Sequence, residues 1–317
     1  MMNTKETKRS VRSVIGKTLL AGFVASTAVL SSSDAKADPP TPWSSIAPTL
    51  SPSFQPGSPN ICNRGDNACV DSVIAEMQRR EAPLDAACSH SEIFALTYLR
   101  TTEEYRVSAL TPGFFQDPAF INHQDALFAK YYFDAWDKYR AGQTSQVSPA
   151  WRTAFQAADQ KRVSALGNLL LGMSAHVNRD LPYVLAAIGL TKPDGTSRKP
   201  DHDKVNDFLR TVMQPLLEEI EERFDPTIGL VQFQGTTLDE EAFFQILVAW
   251  REQAWHNAEL IVAAGSNPIA RALVDAQIEA VAATEANAIL VATSYTPISA
   301  LFGVSRAARD AYCAAHG

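Results

Sequence analysis

Six histidines and four cysteines are few for 317 residues, and no two cysteines form a CxxC pair. The closely spaced His and Asp ligands of a three-metal cluster are therefore missing, and disulfides are favoured over a four-thiolate zinc site. Positive charge is short as well, with 28 Lys and Arg against 35 Asp and Glu. That balance argues against a nucleic-acid backbone or an anionic lipid surface as the main partner. No internal repeat is visible. Strand-like alternation is confined to "GLVQFQG" at 229–235, and one strand builds no sheet.

What is present begins with an export signal. Lys5, Lys8, Arg9, Arg12 and Lys17 precede the apolar run "TLLAGFVASTAVL", which is too short to span a bilayer comfortably. Ala35 and Ala37 frame an AxA cleavage pattern, so residues 1–37 read as a secretory signal peptide. Lys8-Arg9 is not a twin arginine, which points to the general export route. Cleavage would remove six basic and two acidic residues, leaving 22 against 33 and a net charge of −11. With no later membrane segment expected, the protein reads as secreted, extracellular or periplasmic. An even number of cysteines then implies two bridges. Cys62 and Cys69 bracket a tight polar turn and pair locally, which leaves Cys88 for Cys313. The RGD at 64–66 inside that turn is read as accidental.

Residues 38–60 hold seven prolines and read as an extended arm without regular structure, with Trp43, Ile46, Leu50 and Phe54 available to lie on a folded body. The rest, 61–317, is expected to be a single all-α domain, a bundle of about eight helices. Its apolar residues recur at three and four. Asp117 and Pro118 open one helix that ends at Gly142, a further helical pattern runs through 148–181, and Thr237 with Glu240 forms a capping box before a helix that stops at Gly265.

Within 148–181 lies "LLLGMSAHVNRDLPYVLAAIGL", apolar enough for a core yet carrying His176, Asn178, Arg179 and Asp180. On a helix His176 and Asp180 share a face, one turn apart, and Asn178 lies nearly opposite. Pro182 cannot donate to the Asn178 carbonyl, so a kink or break is expected there. Gly167, Gly172, Ser174 and Ala175 let a neighbouring helix come close. Three readings of HxNxD stay open: a hydrogen-bonded core pair, a metal half-site built on His176 and Asp180, and acid–base chemistry by His176 oriented by Asp180.

Other candidates can be placed on helix faces. His123 reads as a surface residue, while Asp134, among aromatics in "YYFDAWDKY", faces something specific. Asp201 and Asp203 of "DHD" read as caps of their own helix. Glu252, His256 and Glu259 share a face that reads as a solvated, salt-bridged stripe. Arg251 and Trp255 share another that continues through Leu247 and Val248, so Arg251 is expected to be buried against Asp180 or Asp134.

"LLLGMSAHVNRDLPYVLA", "DHDKVNDFL" and "REQAWHNAELI" together resemble a family of bacterial, often exported proteins catalogued as domain of unknown function 5995. The family signature runs approximately GMNAHINxDLP, then DxxxVN, then RxxAWxxA. Ser174 stands where the family often has Asn, and Val177 where it has Ile. The likeness covers about 88–293. It implies a shared helical fold without an established reaction, and it carries His176, Asn178, Asp180, Asn206, Arg251 and Trp255 over as site residues. A weaker likeness is to exported helical zinc phospholipases and nucleases, whose mature N-terminal Trp is missing here.

Two functions follow as expectations. One is a hydrolase using a single divalent metal at His176 and Asp180, with Arg251 completing a catalytic group and Asn178, Asp134, Asn206 and Trp255 lining the pocket. The other is a non-enzymatic secreted module that binds an apolar or lipid-like small molecule, or another exported protein, with "YYFDAW" and "FFQILVAW" forming the apolar wall.

Overall fold

Apolar spacings of three and four become helices throughout. The structure, a computed structural model, describes residues 39–228 and 240–317, together with the backbone at 232–233 and 236–237. The signal peptide expected at 1–37 lies outside these residues, as do the side chains of the expected Thr237–Glu240 capping box. The helices are α1 (Trp43–Ile46), α2 (Asn67–Asp85), α3 (Glu92–Leu110), α4 (Pro118–Arg140), α5 (Pro149–Asp159), α6 (Ala165–Ser174), α7 (Leu181–Ile188), α8 (Lys199–Arg223), α9 (Glu240–Ala264), α10 (Pro268–Thr293), α11 (Pro297–Leu301) and α12 (Arg306–His316). The all-α class is as expected, whereas a count of eight is too low because short helices at both ends and a divided central run add to it. None of the described helices is long and apolar enough to cross a membrane.

Three local expectations need correction. The proline-rich arm is not irregular: α1 and a 3-10 turn at Ala47–Thr49 form there, because Trp43 packs edge-on against Phe133 at 5.4 Å and Phe54 against Phe120 at 5.7 Å. The helical pattern over 148–181 is interrupted at 160–164. Lys161 adopts a left-handed φ of 51°, and the Ser164 hydroxyl then caps α6 by accepting from the Gly167 N–H. The strand-like stretch becomes a two-residue strand, β1 (Gln232–Phe233), paired antiparallel with β2 (Thr236–Thr237).

Pro182 produces neither a break nor a gap in the helix. Residues Ala175–Asp180 form a π-helical turn between α6 and α7, and the Leu181 N–H donates to the His176 carbonyl five residues back. The wider turn absorbs the proline while keeping the chain helical. Glycine determines what packs around this turn. A Cβ at Gly172 would fall 2.3 Å from the Phe94 ring, and one at Gly167 2.4 Å from the Thr293 hydroxyl. α3 and α10 can therefore close onto α6, and α3 is brought against the π-turn.

Both expected disulfides are present, Cys62–Cys69 and Cys88–Cys313, and no cysteine is free. The second spans 225 residues of sequence and ties the connection after α2 to α12. α12 is held from within too, since the buried Arg309 donates to the carbonyls of Cys88 and Ser89.

Candidate functional site: a cavity at the π-turn

The π-turn brings His176 and Asp180 together, as their spacing predicts. His176 Nδ1 lies 3.2 Å from Asp180 Oδ2, and both residues are buried. Asp180 has two further donors, the Trp151 indole at 2.8 Å and Arg179 at 3.0 Å. With the carboxylate accepting on all sides, Nδ1 carries the imidazole proton and Nε2 is left as a bare acceptor. Burial holds the His176 pKa down against the pull of Asp180, so the ring stays neutral. It is gripped as an aromatic would be, stacked on Phe128 at 3.5 Å and met by the Tyr98 ring at 4.6 Å.

The imidazole lines a cavity of about 120 Å³ bounded by α3, α4, the π-turn, α8 and α9. Most of the wall is apolar, with Phe94, Met173, Val205, Phe208, Leu209, Met213 and others contributing. Three side-chain atoms on it are buried and, among the described residues, lack a hydrogen-bond partner: His176 Nε2, Tyr98 Oη and Asp125 Oδ2. Burial alone raises the Asp125 carboxyl from its usual 3.8 to about 7. Buried polar atoms are almost always paired, so three orphans on one cavity wall are an unusual concentration. From α4 this cavity takes Ile121, Asp125 and Phe128, all before "YYFDAW" in sequence, and from "FFQILVAW" it takes Leu247.

Arg251 is buried and reaches the same cavity, but among the described residues its partners are not the expected carboxylate. Its Nε donates to Asn206 Oδ1 at 2.7 Å, and its guanidinium donates to the His202 carbonyl. The His202 ring in turn donates to the Arg251 carbonyl at 3.2 Å. Burial lowers the guanidinium pKa to about 10, with Asp203 and Glu252 opposing only through space. The α8–α9 pairing sets these partners, so Asp180 and Asp134 never come into question. Trp255 is buried on the same face, as expected, its ring 5.1 Å from that of His202 and its indole donating to Glu259 at 2.9 Å.

The remaining candidates separate from this group. Asn178 turns away toward α10, where it donates to Ser174 Oγ at 3.1 Å and to Glu285. Asp134 is half-exposed, paired with Lys130 at 2.6 Å, and lines a second, polar cleft of about 420 Å³ that also contains Asp180, Arg179 and Lys138. His123, expected on the surface, is fully buried and bonded through Nδ1 to the Cys62 carbonyl at 3.0 Å. Asp201 caps no part of its own helix. It accepts instead from the Gln116 and Asp117 N–H groups at 2.8 and 3.0 Å, anchoring the start of α4, while Asp203 pairs with Lys199. Glu252, His256 and Glu259 form the solvated stripe foreseen, with Lys199 on Glu252 and His256 3.7 Å from Glu259.

Tyr98 and Asp125 were not anticipated. Asp125 had a signal, because Ile121, Asp125, Phe128 and Tyr132 form one helical stripe in which the carboxylate is the only ionisable group at neutral pH. No curated protein and no solved structure matches the chain. A family model does match, over residues 70–292, and the chain belongs to that family, the family of unknown function DUF5995.

Proposed function

We propose that the protein binds a small apolar molecule that carries a hydrogen-bond-donating group, an alcohol or an amine, inside the cavity at the π-turn. The observation that carries this reading is the trio of unpaired atoms, Tyr98 Oη, Asp125 Oδ2 and His176 Nε2, on an otherwise apolar wall. Each buried orphan costs about 1–3 kcal/mol, and a ligand donating to two of them recovers that cost. Neutral His176 presents Nε2 as an acceptor, and Asp125 accepts whenever it is ionised, so a donating ligand suits both. Size narrows the class further. An engineered apolar cavity of about 150 Å³ holds benzene, so about 120 Å³ suits a ligand with one ring or a short branched chain.

Metal-dependent hydrolysis at His176 and Asp180 has less support. Trp151, Arg179 and His176 already engage the Asp180 carboxylate. Among the described residues, the one grouping of three or more potential metal ligands includes neither residue. Export, read from residues 1–37, agrees with the two disulfides, which persist in oxidising compartments.

The test is a thermal-shift and calorimetric panel of toluene, benzyl alcohol, benzylamine and benzoate. Benzyl alcohol and benzylamine are expected to raise Tm most, toluene less, and benzoate not at all. In Asp125→Asn the advantage of benzylamine over toluene should disappear. If no member of the panel shifts Tm or gives binding heat at millimolar concentration, or if benzoate binds best, the reading fails.

A further inference from the structure

Away from the cavity, three carboxylates meet at the corner between α2 and α3. Glu81 and Asp85 stand one turn apart at the end of α2, and Glu92 is the first residue of α3. One oxygen from each lies within 4.8 Å of the others. The second observation concerns Glu92 itself, which is 0% exposed and, among the described residues, receives no donor on either carboxylate oxygen; its polar neighbour is the Glu81 carboxyl, another acid. A first-turn glutamate normally faces solvent and assists its own helix; this one is turned inward against two other acids. Among the described residues, the one cation paired with the group is Arg223, which donates to Asp85 at 2.7 Å and is shared with Glu219 at 2.8 Å. Three carboxylates therefore share part of one guanidinium.

A buried carboxylate without donors is neutralised by a proton or by a cation. We propose that Glu81, Asp85 and Glu92 bind a hard divalent cation, calcium in preference to magnesium. The donor set is all oxygen, which disfavours zinc and other ions that seek nitrogen or sulfur. Glu81 and Asp85 are only partly buried, so water completes the coordination sphere on the outer side. Calcium tolerates such an irregular shell of six to eight oxygens, whereas magnesium demands a near-ideal octahedron. The corner is also covalently pinned, because Cys88 in the same connection is bridged to Cys313. Pinning holds Glu92 near Glu81 and Asp85 before the ion arrives and so reduces the ordering cost of binding. Affinity in the range of extracellular calcium modules, on the order of 10⁻⁴–10⁻³ M, suits three carboxylates of which one already serves Arg223.

The experiment is calorimetry on disulfide-intact protein stripped with chelator, titrated near neutral pH with calcium chloride and separately with magnesium chloride, with Tm followed in parallel. One calcium per chain is expected, bound more tightly than magnesium, with a rise in Tm at millimolar calcium. Glu92→Gln copies the shape of a protonated carboxyl and should fold to the same circular dichroism spectrum while losing the calcium response. Glu81→Gln should weaken it. Absence of calcium heat and Tm shift in the wild type would mean that the cluster holds only a proton. Calcium binding that survives in Glu92→Gln would place the ion elsewhere. Either result overturns the proposal, and neither bears on the cavity at the π-turn.

Discussion

Asp180 and Asp125 are both enclosed by the bundle, and they differ in almost every other respect. Asp180 accepts from an indole, a guanidinium and an imidazole, so both of its oxygens are served. Asp125 has an oxygen with no partner and a carboxyl raised to about 7 by burial alone. The first arrangement repays its own desolvation and fixes α5, the π-turn and the imidazole relative to one another. The second leaves its cost outstanding, which a fold retains only where something else makes up the difference. Burial of a charged side chain is thus compatible with opposite roles, and its count of donors separates them.

The sharpest way to break this contrast is to delete the satisfied carboxylate. Asp180→Ala strands the Trp151 indole and the His176 Nδ1 proton and leaves Arg179 with Glu279 alone, and should lower stability by about 3–5 kcal/mol in denaturant titration. A loss under about 1 kcal/mol would mean that Asp180 is not the anchor described.

Asp125→Asn tests the other half, and its sign depends on pH. The folded carboxyl titrates near 7 against 3.8 in the unfolded chain, so below the unfolded value both states are protonated and the substitution is nearly neutral. As pH rises from there toward 7, the wild type loses stability that the amide keeps. Above pH 7 the variant should be more stable, by an amount on the order of 4 kcal/mol, and the gap should stay flat at higher pH. A gap that is constant across this range, or that favours the wild type, would mean that Asp125 has a partner.

The smallest effect belongs to the residue between the two. His176→Leu removes one hydrogen bond from Asp180, which keeps Trp151 and Arg179, and also removes an unpaired Nε2 from the cavity. Melting temperature should change by less than the equivalent of about 1 kcal/mol, while the preference for benzyl alcohol over toluene falls. Unfolding by several kcal/mol would make the imidazole structural.

The fold was readable where a residue's role depends on its own neighbours in sequence. Asp117 and Pro118 open α4, Asp117 accepting from the Phe120 N–H, and the His176–Asp180 pair follows from helical spacing alone. Reading failed where the partner comes from another element. Arg251 was known to need a partner, but the α8–α9 pairing decides that it is Asn206 and the His202 carbonyl. Asp201 looks like a cap at the start of a helix and serves as one for the chain leading into α4, some 85 residues earlier. Glu92 gives no signal whatever, since an acid in a first helical turn is the commonest of choices and its inward turn depends on how α2 approaches. The Asp125 signal was weak for a different reason. One carboxylate in an apolar stripe also fits a stripe that ends at the surface, and only the packing of α8 and α9 beside it makes a cavity wall of it.

The π-turn also settles an angular matter. A turn closed over five residues uses one residue more than the α-helical pattern, and one residue corresponds to about 100° of rotation. α7 is therefore rotated about the common axis relative to the course α6 would have taken. The apolar stripe of α6, made for α3, α5 and α10, is not continued into α7, which presents its own stripe to α9. A single-residue deletion within Ala175–Asp180 would restore an unbroken helix and swing Leu181, Val184 and Leu185 by about a quarter turn, away from the neighbours that now bury them.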